Sequence, residues 1–93
     1  MEQQQLFDLL EKSKAGDRQA QEQLGAETQN RVYYHCKKML KNEDDALDAT
    51  QDVLITMLTS LDKLREPAAF WGWVNGITAN RCKHLLTQGT REW

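Results

Sequence analysis

The sequence predicts an all-α fold, a compact bundle of four to five helices. Three observations carry that expectation. Apolar residues recur at helical spacing along most of the chain, no segment shows the alternation of a half-buried strand, and Gly, Asp, Asn and Pro fall between the periodic stretches, where helices stop and start. The 93 residues suit one domain with one modest core, and 40% hydrophobic with 28% charged residues is a globular composition.

The elements follow in order. Leu6, Leu9, Leu10 and Ser13 share a helix face, and Gly16 is placed to end that helix. Asp17 can cap a short second helix, since its carboxylate accepts free backbone N–H groups, with Ala20 and Leu24 inward and Gly25 marking a break. A third helix carries Val32, Cys36, Met39 and Leu40 as its stripe, flanked by Tyr33, with Asn42 as its stop. An acidic helix starts near Glu43 or Asp44. Its apolar stripe is Ala46, Ala49, Val53, Met57 and Leu61, widened by Leu47, Leu54 and Leu58. The segment from Asp62 to Pro67 interrupts the period, and Pro67 suits the first turn of a last helix. That helix buries Phe70, Val74, Ile77 and Leu85, and Gly89 lies beyond its end.

Charge is distributed unevenly. Residues 1–42 hold seven bases and six acids, residues 43–62 hold six acids and no base, and residues 63–93 hold five bases and two acids. The formal net charge of −2 argues against a general polyanion binder, yet a surface divided in this way can face two different partners. No apolar run approaches membrane-spanning length and no signal-peptide pattern opens the chain. Cys36 and Cys82 are too few and too scattered for a disulfide framework, so a reducing cytoplasm is the expected setting.

On the acidic helix, Asp45, Asp48 and Asp52 lie at i, i+3 and i+7, on one face with Gln51 beside them. One explanation is a solvated face with a favourable start, because acids in a first turn meet the partial positive charge of the helix N-terminus. A metal site is a second. The alternating ligands and Gly turn of a calcium loop and the Glu-x-x-His of a di-iron bundle are both missing, so no metal is expected. A third is docking onto a basic protein surface. Like charges at these spacings cost an isolated helix a few tenths of a kcal/mol per pair, roughly, and a cationic partner relieves that repulsion. Leu47, Leu54 and Ile55 would add apolar contact at the edge of the face.

The segment from Phe70 to Leu86 combines aromatics, an Asn and bases on a helical frame. Asn80, Arg81, Lys83 and His84, with Lys63 and Arg65 before them, could surround a nucleic-acid strand, the bases attracting phosphate and the tryptophans offering stacking platforms. Against this, Trp71 and Trp73 can simply line the core, since Trp is highly buried on average. Gly72 and Gly76 each cost a helix about 1 kcal/mol, and their spacing points to close approach of another helix or of a ligand backbone. His35, Cys36, Cys82 and His84 do not make a zinc site, because residues one or two apart on a helix diverge by about 100° or 200°. No nucleophile has an evident base and orienting group, so no catalysis and no cofactor are expected.

Three motifs occur in order: "GDRQAQEQL", "DDALDATQDVLITML" and "FWGWVNGITANRCKHLL". Together they resemble region two of bacterial RNA polymerase sigma factors, most closely the extracytoplasmic-function group, over roughly residues 6–87. The resemblance implies that Asp45, Asp48, Gln51 and Asp52 dock on the clamp helices of the polymerase β′ subunit. It implies that the Asp62–Phe70 loop, Trp73, Asn80, Arg81, Lys83 and His84 recognise the promoter minus-ten element and hold its melted strand. An anti-sigma factor is a further partner that the resemblance implies. Leu47 replaces a frequent acid of the docking motif, Gly76 and Thr78 stand where relatives carry Arg or bulkier residues, and the last helix is less basic than usual, so DNA affinity is expected to be weak. The family's second, helix-turn-helix domain is missing from residues 1–93, so the single region-two domain is expected to be either an excised domain of a longer protein or a one-domain relative. The alternative is a protein-interaction domain of the same fold that does not read DNA.

Overall fold

The computed structural model describes the backbone of residues 2–91 and the side chains of residues 2–87. Four helices follow one another: α1 (Gln3–Lys14), α2 (Arg18–Leu40), α3 (Glu43–Thr59) and α4 (Phe70–Arg91). Two short 3₁₀ turns, Leu61–Lys63 and Pro67–Ala69, lie between α3 and α4. Among the described residues no strand occurs, as the periodicity predicts. The helix α2 is the axis of the bundle and packs on α1, α3 and α4.

Local signals set most boundaries. The Ala15–Gly16 turn closes α1: Gly16 takes φ +98°, where a Cβ would be strained, and the Asp17 N–H donates to the Lys12 carbonyl at 3.0 Å. Asp17 then caps α2 as expected, its Oδ1 accepting from the Ala20 N–H at 3.2 Å. Lys14 ties the far end of α1 to the inter-helix segment by donating to the Leu64 carbonyl.

Several expectations are corrected. The chain does not break at Gly25: the predicted second and third helices are one 23-residue helix, α2. Leu24 and Thr28, one on each side of the glycine, are fully buried, and Thr28 Oγ1 donates to the Leu24 carbonyl at 2.9 Å. Burying those side chains outweighs the roughly 1 kcal/mol that one helical glycine costs. Asn42 does not stop α2. Lys41 does so in a left-handed conformation, φ 56°, and Asn42 is the N-cap of α3, its Oδ1 accepting from the Asp45 N–H at 3.1 Å. Gly89 lies within α4, which runs on to Arg91. Ile77 and Leu85 are half-buried, and the ridge that α4 buries is Phe70, Val74, Thr78 and Cys82 at i, i+4, i+8 and i+12.

One core joins all four helices. It includes Leu6, Leu9 and Leu10 from α1, Leu24, Val32 and Cys36 from α2, Ala46, Ala49, Val53 and Met57 from α3, and Phe70, Val74 and Cys82 from α4. Leu61 and Leu64 plug its end from the connecting segment. Buried threonines spend their hydroxyls on their own helices: Thr50 donates to the Ala46 carbonyl at 2.6 Å and Thr78 to the Val74 carbonyl at 2.8 Å. Each thus enters an apolar core without an unpaired polar group.

Candidate docking face and nucleic-acid face

The core residues of α3 fix what that helix shows outside. With Ala46, Ala49, Thr50, Val53 and Met57 inward, Asp45, Leu47, Asp48, Gln51 and Ile55 are exposed. Leu47 keeps 48% and Ile55 61% of its surface in contact with solvent. The apolar edge opens into a groove of about 310 Å³ lined by Gln29, Leu47, Asp48, Thr50, Gln51 and Leu54. Gln29 comes from α2 and could not have been assigned from sequence, because only the α2–α3 packing brings it there. A larger cleft, about 540 Å³, lies at the α1–α2 junction between Leu9, Lys12, Asp17 and Gln23, away from both predicted faces.

Asp52 stands apart from the other carboxylates. It is half-buried at the α4 edge of α3, and its Oδ2 lies 2.6 Å from Nη2 of Arg81. This is the one ion pair among the described residues. The structure therefore joins a residue expected to meet polymerase to a residue expected to meet DNA. Arg81 does not point outward with Asn80 and Lys83. It follows Val74 by seven residues and Thr78 by three, so it leans along the buried ridge toward α3, and its Nε is buried with no acceptor. That spacing was the sequence signal for Arg81's orientation.

The remaining nucleic-acid candidates lie on α4 and on the segment before it. Asn80, Lys83 and His84 are exposed on α4, and Lys63 and Arg65 are exposed on the segment before it. Trp73 is half-buried, tilted at 49° to Phe70 with ring centres 6.3 Å apart. Trp71 is half-buried on the other side of Phe70, edge-on at 5.0 Å, and the Arg31 guanidinium lies over its ring at 4.2 Å. Both tryptophans thus serve the core edge, and Trp71 is covered by a cation from α2. No helix packs against Gly72 or Gly76: both are exposed, and a Cβ at either would meet nothing within 4 Å. Of the two causes expected for that glycine pair, close helix packing is excluded, and an open strip of bare backbone remains on the outer face of α4.

Among the described residues no group of three or more His, Cys, Asp or Glu side chains converges. Cys36 and Cys82 are both fully buried free thiols. Burial pushes the Cys82 thiol from its ordinary 9.0 up to about 12, aided by the hydrogen bond and charge of neighbouring Cys36, while Arg81 pulls the other way. A thiol held neutral in this way is the reverse of a metal-binding thiolate. No described helix is long and apolar enough to cross a membrane.

No curated protein and no solved structure gives a match to the chain. A family model, Sigma-70 region 2, matches residues 26–92, from the middle of α2 to the far end of α4. The α1 and early α2 residues that precede the match share its core. Both candidate faces fall inside the matched span, and the chain belongs to the Sigma-70 region 2 family.

Proposed function

We propose that this chain is the region-two module of a sigma factor of the extracytoplasmic-function group, acting in transcription initiation and without chemistry of its own. Family membership implies RNA polymerase core and promoter DNA as its partners. In this proposal the exposed side of α3 docks on the clamp helices of the β′ subunit. Asp45, Asp48 and Asp52 supply charge, Gln51 hydrogen bonds, and Leu47 and Ile55 apolar contact. The segment from Lys63 to Arg65 and the outer face of α4, with Trp73, Asn80, Lys83 and His84, hold the unpaired strand of the minus-ten element, with Arg81 behind them. The module works in the cytoplasm, where polymerase is, and an anti-sigma factor would act by covering either face.

The observation that carries this proposal is the composition of the α3 surface. A strip with Leu47 48% and Ile55 61% exposed, bordered by Asp45 and Asp48, which form no ion pair among the described residues, is complementary to a cationic helical partner. The bare backbone at Gly72 and Gly76 supports the second face, because a strand can approach α4 there without meeting a side chain.

The test is capture of the chain by core polymerase. Reversal of Asp45 and Asp48 to Lys leaves the buried residues untouched, so circular dichroism should be unchanged, while capture should fall by at least about tenfold, the equivalent of about 1.4 kcal/mol. Undiminished capture by the reversed chain would overturn the proposal. Capture that depends on these carboxylates, in a chain with no single-strand binding, would favour the interaction domain that does not read DNA.

A further inference from the structure

Asp52 and Arg81 neutralise each other in the free chain, Nη2 to Oδ2 at 2.6 Å, and each belongs to a different proposed face. The pair is tight but incomplete. A guanidinium has five N–H donors, and Nε of Arg81 is buried without an acceptor. The pair is also reachable: 37% of the Arg81 side chain and 45% of the Asp52 side chain contact solvent. A cationic side chain from a partner on α3 can therefore compete for the Asp52 carboxylate. Arg81, next to Asn80 and two residues before Lys83, can then swing its head outward without opening the core.

We propose that the Asp52–Arg81 ion pair is a latch between the two faces: closed, it withholds Arg81 from phosphate, and occupation of Asp52 by a cationic docking partner releases Arg81 to a nucleic-acid backbone. Docking on α3 then raises affinity for single-stranded DNA at α4, and by linkage the strand raises affinity for the docking partner by the same factor. A half-exposed ion pair is a weak restraint, so the factor is about two- to fivefold and the latch tunes binding rather than switching it on. This inference rests on the proposed function, since it needs both faces to have those partners.

The experiment opens the latch without a docking partner. The full chain is titrated against a short fluorescein-labelled single-stranded oligodeoxynucleotide of mixed sequence, with anisotropy followed over a range of salt. Asp52→Asn should bind about two- to fivefold tighter than the parent, with a salt slope steeper by about one phosphate contact. Asp48→Asn removes the same charge one turn earlier and leaves the latch closed, so it should give less than half of that gain. In an Arg81→Ala background, Asp52→Asn should give no more than Asp48→Asn does. The latch is refuted if Asp52→Asn binds no tighter than Asp48→Asn, or if its gain survives in the Arg81→Ala background. Asn80→Ala and Lys83→Ala separate the two levels. If they weaken binding while Asp52→Asn has no special effect, the latch alone falls. If none of these changes alters binding, the nucleic-acid face falls with it. Asp52→Ser repeats the test should the Asn variant fold poorly.

Discussion

Asp52 Oδ2 and Arg81 Nη2 stand 2.6 Å apart and tie α3 to α4 at the border between an acidic and a basic surface. Asp52 shares a face of α3 with Asp45 and Asp48, and it differs from them in having α4 beside it, which leaves it half-buried against Arg81. Arg81 emerges at the rim of the α4 ridge, three residues after buried Thr78. Two helices that pack with their rims together bring these charges into contact, and a net −6 segment meets a net +3 segment inside one chain.

Ile55 is an apolar side chain of the proposed docking face that has little role in the fold. It is 61% exposed and outside the core cluster. Ile55→Ser should leave the urea midpoint within the equivalent of about 0.5 kcal/mol of the parent. It should weaken capture by core polymerase by about tenfold, because covering an Ile side chain contributes about 1.5–3 kcal/mol. Equal capture by parent and variant would remove Ile55 from the docking face.

Stability should fall at high pH through Cys82. The thiol is held at about 12 in the folded chain against an ordinary 9.0, so between those values the folded chain binds the extra proton. Unfolding then releases that proton. The contribution is complete below 9.0 and is lost as pH rises toward about 12. The denaturation midpoint should decline over that interval, and Cys82→Ala should flatten the decline relative to the parent. Parallel pH profiles for parent and variant would show that Cys82 does not titrate in this way.

Glycines at two positions should respond in opposite directions. Gly25 lies inside α2 with nothing within 4 Å of a built Cβ, so Gly25→Ala should stabilise the chain by about 0.4–1 kcal/mol through the unfolded state. Gly16 also has open space but sits at φ +98°, so Gly16→Ala should destabilise it by about 1 kcal/mol or more. Urea denaturation of the two variants side by side is the check. A stabilising Gly16→Ala would mean that the α1–α2 turn relaxes freely.

Local chemistry made much of this protein legible in one dimension. The helical period of Leu6, Leu9 and Leu10, of Val32 and Cys36, and of Ala46, Ala49, Val53 and Met57 marked the core faces, because side chains three and four apart share a side of a helix. Asp17 showed the start of α2, and the run from Glu43 to Asp52 showed where the acidic face would be. Tertiary structure decided the rest. Propensity acts on one residue and marks Gly25 as a break, whereas burial of Leu24 and Thr28 against other helices acts on the whole of α2. An Asn such as Asn42 can serve either end of a helix, and its bond from the Asp45 N–H makes it the start of α3 rather than the stop of α2. The place of Gln29 beside Leu47 and Leu54, and the partnership of Asp52 with Arg81, depend on which helix lies next to which. A sequence fixes the angle at which a side chain leaves its own helix, and only packing sets what stands across from it.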